Sequence, residues 1–158
     1  MPARAQWLFL ARSGALRIND CSRAETGGQF SPDGRWVAYQ SDESGRFEIY
    51  VQPFPAASAK WQISTGGGTM PRWRADGKEL FFIAPDTKLM AAAVTASGTM
   101  FEAAPPVALF QTRIVGGPGQ ILKHQYAVSR DGRFLINETA EASTATPITL
   151  IFNWKPVS

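Results

Sequence analysis

Apolar residues along this chain fall into short runs broken by Gly, Pro, Asp and Ser, and no long interval keeps a helical period. Where the runs alternate they do so as strands do: Phe47, Ile49 and Val51 share one face of an extended segment. Where they do not alternate, as in Leu80-Phe81-Phe82-Ile83, a strand is apolar on both sides and must be covered on both. Three pairs of runs are joined by the same dipeptide, Asp33-Gly34, Asp76-Gly77 and Asp131-Gly132, each followed by a basic residue, Arg35, Lys78 or Arg133. Asp-Gly between apolar runs predicts a two-residue hairpin, because Gly accepts positive φ and Asp tolerates it through local hydrogen bonding. Pro32 fixes φ and has no amide hydrogen, which puts it at the edge of its strand.

One such hairpin says little, but three in the same setting are a repeat. The Asp-to-Asp spacings are 43 and 55 residues. The first matches a propeller blade of four short antiparallel strands, and the second a blade with an insertion. The expected fold is all-β, an incomplete β-propeller of about three to four four-stranded blades, where closed rings have about 4–8. Residues 6–28 read as the last half of a preceding blade, with strands at 6–11 and 15–18. Residues 29–65 form a blade with strands ending at 30–31 and running over 36–40, 47–51 and 61–63, the middle two joined by a turn at Asp42-Glu43-Ser44-Gly45. Residues 66–112 form the next, with strands at 70–74, 79–84, 89–94 and 107–110. Residues 113–158 form a final blade with strands at 126–130, 133–138 and 148–154, lacking its fourth.

Composition narrows the function classes. An apolar fraction of 44% is that of a globular protein. The net charge of +3 comes from scattered basic residues, which excludes a nucleic-acid groove as the expected partner surface. The single Cys21 cannot form an intrachain disulfide. The apolar run at 7–11 is shorter than a signal-peptide core or a membrane span, so no membrane insertion by this chain is expected.

Catalytic motifs are sparse. There is no kinase Gly-rich loop, catalytic loop or Asp-Phe-Gly, and Arg130-Asp131-Gly132 sits in a hairpin setting instead. A hydrolase nucleophile elbow and a phosphate-binding Gly-Lys-Ser/Thr are both missing. The expectation is therefore no catalytic residue, no cofactor and no metal. His124, the one histidine, reads as a loop or strand-entry residue, since zinc would need further ligands. Asp42, Glu43 and Glu48 read as solvated turn charges, short of the oxygen ligands calcium requires. Asn137-Glu138-Thr139 fits a glycosylation acceptor but follows a strand. Trp36, Tyr39, Tyr50, Trp61, Phe81 and Phe82 read as packing.

The run Phe30-Ser31-Pro32-Asp33-Gly34-Arg35-Trp36-Val37-Ala38-Tyr39 resembles the signature of the TolB-like, WD-repeat-like propellers. Trp61-Gln62-Ile63-Ser64-Thr65-Gly66-Gly67-Gly68, the stretch from Pro71 through Asp76-Gly77 to Phe81, and Asn153-Trp154 resemble the C-terminal propeller of bacterial proteins in which such repeats follow a serine/threonine kinase domain. The resemblance covers most of residues 26–156, although Ala75 replaces the Pro of the first repeat. It implies a six-bladed ring used for protein contacts, often periplasmic or otherwise extracytoplasmic and part of a longer protein, with no catalytic residues on this chain. The expected function is a non-catalytic protein-interaction module, scaffold or sensor, that binds a protein partner through loops and channel rim. The alternative is an accessory domain of a larger enzyme, a serine/threonine protein kinase or a prolyl-oligopeptidase-like peptidase. Open strand edges at both ends of an incomplete ring predict self-association or poor solubility. Because first strands line a propeller's channel, aligning the repeats stacks Gln29, Arg72 and Ala127 in one register and Thr26, Thr69 and His124 in another. These six residues are the candidate rim.

Overall fold

A computed structural model describes residues 8–11, 14–17, 25–55, 59–114 and 125–138. Every regular element among them is a β-strand, and all the strand pairings are antiparallel. Strands β1 (Leu8–Ala11) and β2 (Gly14–Arg17) pair as a hairpin. Strands β3 (Glu25–Phe30), β4 (Trp36–Ser41), β5 (Glu48–Pro53) and β6 (Trp61–Gln62) form a four-stranded meander in chain order. The next sheet contains β7 (Thr69–Trp73), β8 (Glu79–Ile83) and β9 (Lys88–Ser97). Strands β10 (Met100–Ala103) and β11 (Val107–Gln111) both pair with β9, at opposite ends of its length. Strands β12 (Tyr126–Val128) and β13 (Phe134–Ile136) make a second hairpin, and no closed sheet forms among the described residues. The third-unit strand expected over 148–154 lies outside the described residues.

Most strands lie where the apolar runs place them, but the hairpins are not two-residue turns. Ser31 N–H donates to the Trp36 carbonyl at 2.8 Å and Gly34 N–H to the Ser31 carbonyl at 2.9 Å, so residues 32–35 are the loop. Only the Gly takes positive φ, 71° at Gly34, whereas the shortest twisted hairpin needs it at both central residues. Local side chains hold the wider loop. Ser31 Oγ donates to Asp33 Oδ1 at 2.6 Å and accepts from Trp36 N–H at 3.0 Å, and Arg35 N–H donates to the same carboxylate at 3.1 Å. The second hairpin repeats the geometry over residues 75–78, with Arg74 N–H donating to the Glu79 carbonyl at 2.9 Å.

The third hairpin differs by one residue. Ser129 N–H donates to the Arg133 carbonyl at 2.8 Å, leaving 130–132 as the loop and pairing Val128 with Phe134, where the first hairpin pairs Phe30 with Val37. A one-residue slip exchanges the two faces of a strand. Leu135, aligned by sequence with the fully buried Val37, is accordingly 76% exposed, while Phe134 and Ile136 turn toward the neighbouring sheet.

That neighbour, the β7–β8–β9 sheet, is covered on both sides, as its unbroken apolar run requires. Leu80, Phe82, Ala92 and Val94 pack with Trp36, Ala38, Ile49 and Val51 of the β3–β6 sheet. From the other face, Phe81, Ile83, Leu89 and Ala91 pack with Ile114 and Tyr126. Burying a side chain such as Phe82 stabilises by about 1.5–3 kcal/mol. The β9–β10 excursion over residues 95–103, outside the strands expected from the sequence, joins this packing. Gly98 turns it at φ 59°, and Phe101 comes back against Trp36 and Trp61 with centroids 4.9 and 5.3 Å away.

Candidate functional site

The first strands of the three sheets lie side by side, with β7 packed against β3 and β12. Both β3 and β7 carry an irregularity at the same place, between Thr26 and Gln29 and between Thr69 and Arg72. Each holds one residue in the left-handed region, Gly27 at φ 72° and Met70 at φ 58°. A glycine takes that conformation freely; a methionine must be held there. Met70 is held from both sides, since its N–H donates to Gln40 Oε1 at 2.7 Å and its carbonyl accepts from the Tyr126 hydroxyl at 2.8 Å. Gln40 and Tyr126 are both buried, so the two neighbouring sheets satisfy the backbone groups that the bulge removes from the β7 ladder.

Immediately after the bulges come Gln29 and Arg72. Arg72 Nη1 donates to Gln29 Oε1 at 2.9 Å, and Trp73 Nε1 donates to the Gln29 carbonyl at 3.1 Å. The Gln29 amide also donates to the Gly28 carbonyl at 3.2 Å. The Arg72 guanidinium is half-buried, and its Nε is buried without an acceptor. Burial pushes its pKa down, the nearby Tyr126 works the other way, and an arginine remains charged throughout. Burial likewise pushes the Tyr126 hydroxyl far up, so it stays a neutral donor to Met70.

The repeat alignment thus brings Gln29 and Arg72 into direct contact. Ala127 is exposed on β12, opposite Leu135. Thr69 is buried, with its hydroxyl donating to the Ile83 carbonyl at 3.5 Å. Thr26 pairs with Gln40 in the β3–β4 ladder, and His124 lies outside the described residues. Sequence reasoning missed Tyr126, for which no pattern speaks. It also passed over Gln40, whose signal was a polar side chain inside an otherwise apolar run.

A second polar cluster corrects the sequence reading outright. Glu48 is not a solvated turn charge; it is 1% exposed. Its carboxylate accepts from Gly67 N–H at 2.9 and 3.0 Å, from Arg46 Nε at 2.8 Å and from the Ser64 hydroxyl. Ser64 Oγ in turn accepts from Ile49 N–H at 2.8 Å. The glycine run makes this possible by bringing backbone close: a Cβ on Gly67 would lie 2.4 Å from Pro85 Cγ. Glu43 differs again, pairing with Lys60, which also lies over the Tyr50 ring.

Among the described residues no group of three or more His, Cys, Asp or Glu is placed to hold a metal ion. The Gln29–Arg72 region offers hydrogen-bond donors and one fixed positive charge, chemistry suited to holding a group in place. Neither the family models nor the curated proteins compared with the chain match it.

Proposed function

We propose that the chain is part of a TolB-like β-propeller and serves as a non-catalytic protein-interaction module, with the β3–β7–β12 end forming the rim that meets its partner. The observation that carries this reading is the way β7 is held. Its neighbours β3 and β12 flank it, its sheet is sealed on both faces by other sheets, and Gln40 and Tyr126 bond its Met70 backbone from opposite sides. Stacked antiparallel sheets with their first strands adjacent are what blades around a common axis require. The matching bulges in β3 and β7 fit the same repeat.

Light scattering on the purified chain tests the architecture. An incomplete ring with open edges gives self-association or poor solubility; a monodisperse monomer of native compactness counts against it. Affinity capture tests the function, comparing the wild-type chain with a folded Arg72→Glu variant. A partner at the rim is lost from the variant, and identical capture profiles would overturn the assignment of the rim.

A further inference from the structure

We infer that Arg72 is a carboxylate receptor: it binds an acidic group of the partner, either an Asp or Glu side chain or a chain-terminal carboxylate. This rests on the reading of the β3–β7–β12 end as a partner-binding rim.

Among the described residues, three exposed arginines have a carboxylate beside them and the half-buried Arg72 does not. Arg46, Arg74 and Arg133 have side chains 61%, 41% and 82% exposed, where ion pairs contribute little, yet each lies against a carboxylate. The distances are 2.8 Å to Glu48, 2.8 Å to Glu79 and 2.7 Å to Asp131. Arg72 is half-buried, where an unpaired charge is costly, and among the described residues its recorded side-chain bond is to a neutral amide. Its Nε, closed to solvent, meets no acceptor among the described residues. A guanidinium is a planar fork whose neighbouring donors match two carboxylate oxygens. Gln29 occupies Nη1 and orients the fork without neutralising it. Tyr126 is already donating to Met70 and supplies no counter-charge. The charge is therefore held in place with no carboxylate beside it among the described residues. A single cation fits one carboxylate better than a multiply charged phosphate, which several cations would serve.

The test is NMR of the Arg72 Nε–H resonance in the 158-residue chain, assigned by its disappearance in Arg72→Lys. Four probes are titrated at constant ionic strength: N-acetyl-glutamate amide with a free side-chain acid, N-acetyl-alanine with a free chain terminus, and their neutral counterparts N-acetyl-glutamine amide and N-acetyl-alanine amide. A saturable shift is expected from one or both acids, with a dissociation constant on the order of millimolar, and none from the neutral probes. The acid that binds tighter identifies the source of the carboxylate. No shift from either acid, an equal shift from the neutral probes, or an equal shift from sodium sulfate overturns the assignment.

Gln29→Glu is the second measurement. It places a carboxylate where Oε1 already meets Arg72, so it should raise the melting temperature by about 2–4 °C and abolish probe binding. Unchanged melting together with retained binding overturns the assignment as well. Failure of either measurement leaves the stacking of the sheets, and so the propeller reading, intact. A different sheet arrangement in solution separates Gln29 from Arg72 and removes the rim and the receptor together.

Discussion

Glu48 and Arg72 are both charges withdrawn from water, and the molecule treats them in opposite ways. Around Glu48 the chain gathers a guanidinium, a hydroxyl and a backbone amide, so that both carboxylate oxygens are bonded. Around Arg72 the described residues provide one neutral amide and leave a buried nitrogen unbonded. The first arrangement fastens β5 to the connection leading into β7. The second fastens little and leaves the charge without a carboxylate among the described residues. A buried charge with every bond made is a piece of architecture; one left incomplete calls for an explanation.

The largest effect is expected at Glu48. Glu48→Ala leaves Gly67 N–H and the Ser64 hydroxyl without their acceptor in a buried site, and should cost about 3 kcal/mol in urea unfolding. A loss below about 1 kcal/mol would mean the carboxylate is not the fastening it appears in the geometry. Gly67→Ala attacks the same junction from the backbone. At φ 95° and with Pro85 in the way, the added methyl should cost about 2 kcal/mol, and an unchanged unfolding midpoint would show that the connection yields freely.

Tyr126→Phe removes the donor to the buried Met70 carbonyl and should cost about 1–2 kcal/mol, measured the same way. It sharpens the comparison because the Tyr126 hydroxyl has its acceptor where the neighbouring Arg72 Nε has none among the described residues. Arg72→Met should lie within about 0.5 kcal/mol of wild type, since relief of desolvation offsets the lost bond to Gln29. A large destabilisation there would make Arg72 architecture too, and collapse the distinction.

Asp33 supplies an exposed reference. The Ser31 hydroxyl first of all holds its carboxyl below the ordinary Asp range; burial opposes this, and the Arg35 amide and charge add to the lowering. A depressed carboxyl stabilises the fold above its unfolded pKa, and that stability disappears as pH falls through the folded value. Ser31→Ala should therefore open a stability gap from wild type that is widest near about pH 6 and narrows toward about pH 2.5. A gap independent of pH would assign the effect of Ser31 to its bond with Trp36 N–H alone.

Much of the fold was legible because strand formation here follows local chemistry. The alternation around Ile49, the apolar block at Leu80-Phe81-Phe82-Ile83 and the recurring Asp-Gly placed the four strands of the β3–β6 meander within a few residues. The repeat alignment also set Gln29 beside Arg72, since equivalent positions on adjacent first strands must be neighbours. What stayed hidden depended on partners distant in sequence. Gly98 and Phe101 form a strand pair because Trp36 and Trp61 offer a surface to cover, and no local pattern announces that. Glu48 read as a turn charge because its donors lie at Ser64 and Gly67.

By itself the sequence determined most of the strand content and the turn positions, because side-chain alternation and the φ preferences of Gly and Pro act over a few bonds. Only the tertiary structure decided the register of the third hairpin, where one residue fewer in the loop carries Leu135 outward and Phe134 inward. It alone also decided the fate of the two charges. Whether a charge is satisfied depends on what the rest of the chain brings within about 3 Å of it, and that distance is set by packing.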